Sequence, residues 1–169
     1  MERKGLVSFK GSPITLTGSE IKPGDTAPDF TVVGKDMNPV KLSDFKGQIV
    51  IISAVPSLDT PVCELQTIRF NEEASKLNAK LMTISMDLPF AQARFCQAHA
   101  LDKAVTASDY KDREFAQKYG LYMLELGLIA RSVIIVGKTG AIEYIQIVKE
   151  MSKQPDYDDV LKEAKRLGA

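Results

Sequence analysis

Cysteine and histidine are scarce and tryptophan is absent: the 169 residues include two cysteines and one histidine. Two cysteines are too few for a disulfide scaffold, and in a reducing cytosol such a pair reads as catalytic or redox-active. An excess of charge of one sign is missing too, since Lys plus Arg and Asp plus Glu number 22 each. That balance excludes a general attraction to nucleic acid or to an anionic membrane, so partners are selected by shape and chemistry. Apolar runs long enough to span a bilayer are lacking. The start, Met1-Glu2-Arg3-Lys4-Gly5, leads into polar and β-patterned residues with no apolar h-region, which predicts a cytoplasmic protein. No internal repeat or low-complexity segment interrupts the chain, and its length predicts a single domain, 1–169, around one substantial core.

What is present converges on Pro56-Ser57-Leu58-Asp59-Thr60-Pro61-Val62-Cys63. Before it runs Ile49-Val50-Ile51-Ile52-Ser53-Ala54-Val55, an apolar, β-branched stretch suited to a strand buried on both faces. After it the chain turns helical. Thr60 suits the N-cap, Pro61 the first helical position, and Cys63 falls at the third. The positive end of the helix dipole and the free N–H groups of a first turn favour a thiolate, which primes Cys63 as a nucleophile. Cys63, Thr67, Phe70, Ala74 and Leu77 follow helical spacing, so the sulfur begins a stripe that enters the core.

Elsewhere, Leu6 to Phe9 and Ile14 to Thr17 flank Gly11-Ser12-Pro13 and predict a hairpin over about 6–17. Phe30–Val33, Val40–Leu42, Lys80–Met86 and Ala104–Ser108 read as strands, and Ser43–Gly47 as a capped turn. A helix from Pro89 carries Phe90, Arg94, Cys96 and His99, and another spans Asp112–Tyr119, closed by Gly120. Residues 121–130 lack a clear period and read as a loop lining the site. Arg131–Val136 and Ala141–Val148 form a hairpin around Gly137-Lys138-Thr139-Gly140, and Asp156–Leu167 a final amphipathic helix. Alternating strands and helices ending this way predict an α/β sandwich with a mixed sheet.

Pro56-x-x-x-Thr60-x-x-Cys63 resembles the active-site motif of peroxiredoxins. Asp87-Leu88-Pro89-Phe90-Ala91-Gln92-Ala93-Arg94-Phe95-Cys96 and Ala130-Arg131-Ser132-Val133 narrow the resemblance to bacterial thiol peroxidases, which are atypical two-cysteine peroxiredoxins. With the N-terminal hairpin and Pro155-Asp156-Tyr157, the likeness covers nearly the whole chain. It implies a thioredoxin-like fold with an added N-terminal hairpin, a hydroperoxide substrate, thioredoxin as reductant, and a homodimer; it implies no cofactor.

The implied first step is attack of Cys63 on the terminal peroxide oxygen, giving a sulfenic acid and releasing water or an alcohol. Thr60 is either a plain helix cap or a hydroxyl facing thiolate and peroxide, and the likeness makes it catalytic. Pro56 stiffens the turn, and the likeness adds that it shields the site from water. Arg131, directly before an apolar run, is either solvated at a strand end or committed to a site. The likeness makes it the arginine that stabilises thiolate and peroxide. Cys96, 33 positions beyond Cys63, is by itself either a core helix cysteine or a redox partner. The likeness makes it the resolving cysteine of an intrachain Cys63–Cys96 disulfide. Because a disulfide demands Cα atoms within about 7 Å and the two sulfurs start on different helices, partial unwinding of one of them is expected.

Three competing readings differ in chemistry. A disulfide reductase needs Cys-x-x-Cys, and here the first position is Thr60. A redox sensor forms the disulfide without turnover. A metal site at Cys63, Cys96 and His99 has too few ligands and no closed zinc spacing. His99 reads as a surface residue, and Phe90, Phe95 and Leu124–Ile129 as core or pocket wall rather than a cofactor box.

Overall fold

The computed structural model describes residues 1–169, with every side chain but that of Ala74. The expected helical stripe from Cys63 to Leu77 falls, at Ala74, outside the described side chains.

The strands, in chain order, are β1 (Glu2–Phe9), β2 (Ser12–Thr17), β3 (Thr31–Gly34), β4 (Pro39–Lys41), β5 (Val50–Ala54), β6 (Lys80–Ser85), β7 (Val105–Ser108), β8 (Tyr122–Met123), β9 (Leu128–Ile129), β10 (Ser132–Val136) and β11 (Ile142–Ile147). The helices are α1 (Pro61–Ala74), α2 (Pro89–His99), α3 (Glu114–Lys118) and α4 (Tyr157–Arg166), and a 3-10 turn spans Leu42–Phe45.

Seven strands form a mixed sheet in the order β11-β10-β5-β6-β7-β3-β4, with β5, β6 and β7 parallel and the other pairings antiparallel. All five residues of β5 are buried, as a strand covered on both faces requires. Alternation divides them between two cores. Ile51, with Val133 and Ile135 of β10, meets Phe70 of α1 and Val160 and Ala164 of α4. Val50, Ile52 and Ala54 face a larger cluster that includes Phe30, Phe115, Tyr119 and Leu16.

A second sheet, β1-β2-β8-β9, has four strands. Residues 121–130 are therefore not the loop expected from the sequence. Two-residue strands β8 and β9 lie in this stretch, and β8 pairs with β2 through Leu16↔Met123 and Thr17↔Tyr122. Strands this short have no period to read, and they exist because the hairpin offers them an edge. The hairpin also starts earlier than expected, at Glu2. Its ladder shifts register between Lys4 and Val7, where Gly5 has φ 76, and this bulge hides the alternation of the first residues. At its turn Lys10 and Gly11 both take positive φ, the geometry of a two-residue hairpin loop.

α1 ends at Ala74, short of the expected Leu77, and α3 is shorter than the Asp112–Tyr119 helix expected. α3 is held by a carboxylate from outside it: Asp109 accepts from the N–H groups of Phe115 (3.1 Å) and Ala116 (2.8 Å). Burial pushes the Asp109 carboxyl from 3.8 up to about 6, against those two bonds. The folded protein thus keeps a proton that the unfolded chain has released. Its contribution to stability is full below about pH 4 and lost as pH rises through about 6, some 3 kcal/mol in all. Urea midpoints measured from pH 4 to pH 7 should therefore fall for the parent relative to Asp109→Asn. Parallel curves for the two proteins would contradict this.

Candidate active site

The ends of β5, β6 and β7 that lead into helices lie on one edge of the sheet, where open α/β sheets place their sites. The loop after β5 carries Pro56 and Thr60 into α1. Pro56 is buried and Pro61 opens the helix at its first turn. The first helical bond runs from Glu64 N to Thr60 O (2.9 Å), so the N–H groups of Val62 and Cys63 have no acceptor within the helix. Cys63 is fully buried among Val55, Leu58 and Phe95.

Thr60 is the N-cap residue, but its side chain does not cap. Its hydroxyl instead donates back to Ser57 O (3.0 Å), tightening the loop. Of the two sequence-based options, a bond to the Cys63 N–H is excluded in this conformation.

Arg131 arrives from the other side of β5. The antiparallel register Ser132↔Ala54 brings the residue before β10 to the level of Val55, where the loop begins. Although charged, Arg131 is only 2% exposed. Its Nη2 donates to Cys63 Sγ at 3.1 Å, its Nη1 to Gln66 Oε1 at 2.9 Å, and its Nε and Nη2 to the Met151 carbonyl at 3.0 and 2.8 Å. Gln66 passes the chain on to Ser53 Oγ at 2.8 Å. Among the described residues no carboxylate lies within 4.0 Å of this guanidinium. A buried cation without an anion is costly, and the acidic group this one touches is the Cys63 thiol.

A cavity of about 360 Å³ opens beside these residues. Its wall includes Pro56, Thr60, Val62 and Arg131 together with Met123, Leu126 and Leu128. The 121–130 stretch does line the site, as expected, though Leu124 itself is exposed.

Cys96 sits in the last turn of α2 and is also buried. Its thiol donates to Thr106 Oγ1 of β7 at 3.4 Å, so the two sulfurs face different partners and both are free. Phe95, one residue before it, is the side chain that α2 turns toward Cys63. Phe90, read from sequence as core or pocket wall, is 66% exposed. On the first turn of α2 it faces away from both cores, and sequence hydrophobicity alone carries no direction. His99 is half-buried, its ring tilted against that of Phe95, with Nε2 at 3.6 Å from Glu64. No cluster of three metal-ligating side chains occurs among the described residues.

Sequence reasoning missed Gln66 and Met151, and it gave Asp87 a place in a motif but no role. Gln66 was within reach, three residues past Cys63 on the same helix side. Met151 contributes a main-chain carbonyl, for which no side-chain signal exists. Asp87 accepts from Ser57 Oγ (2.7 Å), Leu58 N (2.7 Å) and Ser85 Oγ (2.6 Å), tying the Cys63 loop to the start of α2.

Comparison with known proteins agrees with this arrangement, for residues 22–161 match the Redoxin family. The chain belongs to the redoxin family. A Bacillus subtilis (strain 168) protein named thiol peroxidase is 48% identical over 95% of this chain and 97% of its own length. A thiol peroxidase of Listeria monocytogenes serotype 4b is 50% identical over 95% of this chain and 98% of its own. The crystal structure of a peroxiredoxin-like protein from Aquifex aeolicus superposes with a TM-score of 0.91 at 41% identity, covering 98% of this chain and 97% of that one. The redoxin architecture is thioredoxin-like, and here β1 and β2 precede the matched span.

Proposed function

We infer that this redoxin is a thiol-dependent peroxidase that reduces hydrogen peroxide and organic hydroperoxides and is recycled by thioredoxin. The observation that carries the reading is the buried Arg131 guanidinium 3.1 Å from Cys63 Sγ, with no carboxylate among the described residues within 4.0 Å to neutralise it. The thiolate is the form of a cysteine that attacks, and a first helical turn and a fixed positive charge are the surroundings that favour one. Attack forms a bond between sulfur and the terminal peroxide oxygen and breaks the O–O bond. The departing oxygen gathers negative charge, takes a proton, and leaves as water or an alcohol. The Arg131 guanidinium, anchored by Gln66 and the Met151 carbonyl, is placed to hold that charge. Thr60 and Pro56 shape the approach, and the apolar side chains of Met123, Leu126 and Leu128 in the cavity lining suit an organic hydroperoxide.

Cys96 then attacks the Cys63 sulfenic acid, releasing water and closing the intrachain disulfide. In the reduced form the sulfurs point to Arg131 and Thr106, so a local rearrangement must precede this step. The cheapest place is the end of α2. Ala100 closes that helix with φ 52, a left-handed conformation unfavourable for a residue with a Cβ, and donates to Cys96 O. The whole chain is taken as a single domain. Two free thiols suit a reducing cytoplasm, and the family likeness suggests a homodimer, which sedimentation velocity tests.

Turnover separates this reading from the alternatives. With thioredoxin, its reductase and excess peroxide, many equivalents of peroxide should be consumed per protein chain. Consumption that halts at one equivalent would instead identify a sensor.

A further inference from the structure

The direction of the Arg131 guanidinium is set by a main-chain group. Nε and Nη2 share the Met151 carbonyl, and the Arg131 N–H donates to Met151 Sδ at 3.2 Å, so wherever Met151 lies the guanidinium follows. Met151 belongs to an irregular segment, Lys149–Ser152, that runs alongside the N-terminal hairpin. Ser8 N donates to Lys149 O (2.7 Å) and Met151 N to Ser8 O (2.9 Å). Between these two bonds Glu150 reaches into the hairpin turn.

That carboxylate is thoroughly engaged. One oxygen accepts from Lys10 N (3.0 Å), Ser152 Oγ (2.9 Å) and Ser152 N (3.3 Å). The other accepts from Ser8 Oγ (2.7 Å) and Gly11 N (3.3 Å). The positive φ values of Lys10 and Gly11 aim successive N–H groups at one point, a concavity suited to an anion. Hydrogen bonds from Ser8 and Ser152 hold the Glu150 carboxyl down to about 2, so it is charged at every working pH. The other clamp on Arg131, Gln66, rides on α1, the helix whose first turn holds Cys63. The Met151 side is thus the anchor independent of that helix.

We propose that Glu150 is a positioning residue for the peroxide reaction: by pinning the Lys149–Ser152 segment to the hairpin turn, it fixes the Met151 carbonyl and hence the line from Arg131 Nη2 to the Cys63 sulfur. This rests on the reading of Arg131 given above. It also gives the hairpin, which lies outside the Redoxin match, a place in the chemistry.

A double-mutant cycle in a Cys96→Ser background tests it, reading the second-order rate of Cys63 oxidation by hydrogen peroxide together with urea midpoints. Glu150→Ala should slow oxidation roughly 10- to 100-fold, the scale of a misaimed catalytic group. In an Arg131→Met background the same change should slow it no further, while its effect on the urea midpoint persists. Glu150→Gln, which keeps one acceptor oxygen, should fall between and covers the case in which the alanine variant folds poorly. Should Arg131→Met slow oxidation while Glu150→Ala and Glu150→Gln do not, or should the Glu150 loss be equal in both backgrounds, the proposal is overturned alone. An unaltered rate in Arg131→Met would overturn the reading of Arg131 and the proposal with it.

Discussion

Cys63→Ser is expected to lower peroxide turnover to the uncatalysed background, a loss on the order of 10⁵-fold or more. A serine hydroxyl keeps its proton at any working pH and is a poor nucleophile toward a peroxide oxygen, so neither the helix terminus nor Arg131 has an anion to stabilise. Cys96→Ser should behave differently. Its Cys63 still meets peroxide, so one equivalent is consumed and the reaction then stalls with oxidised sulfur. Mass spectrometry of the stalled protein should find a sulfenic acid, or a sulfinic acid at high peroxide. Amide exchange supplies the structural half of the prediction. Disulfide-linked protein should lose protection in the first turn of α1 or the last turn of α2 relative to the reduced form. Full cycling by Cys63→Ser would remove the basis of the mechanism, and equal protection in both forms would remove the rearrangement.

Arg131→Met is expected to cut kcat/KM for peroxide about 10²- to 10³-fold, the usual cost of deleting one donor aimed at developing charge. The fold should survive. Methionine is of similar length and relieves the burial of a cation that has no carboxylate partner among the described residues, worth several kcal/mol. Against this, Gln66 Oε1 and the Met151 carbonyl lose their donor at about 1–3 kcal/mol each. The opposed terms leave a modest net change in stability beside a large change in rate. Steady-state kinetics and urea denaturation on the same preparation check both. A rate within threefold of the parent would mean that the guanidinium serves packing alone.

How far the site could be read from the chain depends on the range of the forces involved. The strand, turn, helix start and first-turn cysteine from Ile49 to Cys63 are local, each set by residues within a few positions, and all are found in the structure, with Thr60 at the N-cap position though its hydroxyl does not cap. The second buried strand, expected over Lys80–Met86, and the closing amphipathic helix were legible from residue pattern in the same way. The role of Thr60 was legible only as a position, because whether its hydroxyl turns to Cys63 or to Ser57 depends on the shape of the loop. Arg131 stood open between solvent and site on its own neighbours alone. Residue pairing across β5 and β10 decided that question, by burying it beside Cys63.

Local chemistry in the chain was enough to determine that a cysteine stands in the first turn of a helix after a buried strand, with a second cysteine on a later helix. Only the tertiary structure decided what surrounds those sulfurs: a cation held by the carbonyl of Met151, a glutamine bridge to Ser53, and a second sheet assembled on an N-terminal hairpin. Helix starts and buried strands are written in short-range sterics and periodicity. A main-chain carbonyl, by contrast, is the same group in every residue, and where it points is settled only when distant segments pack together.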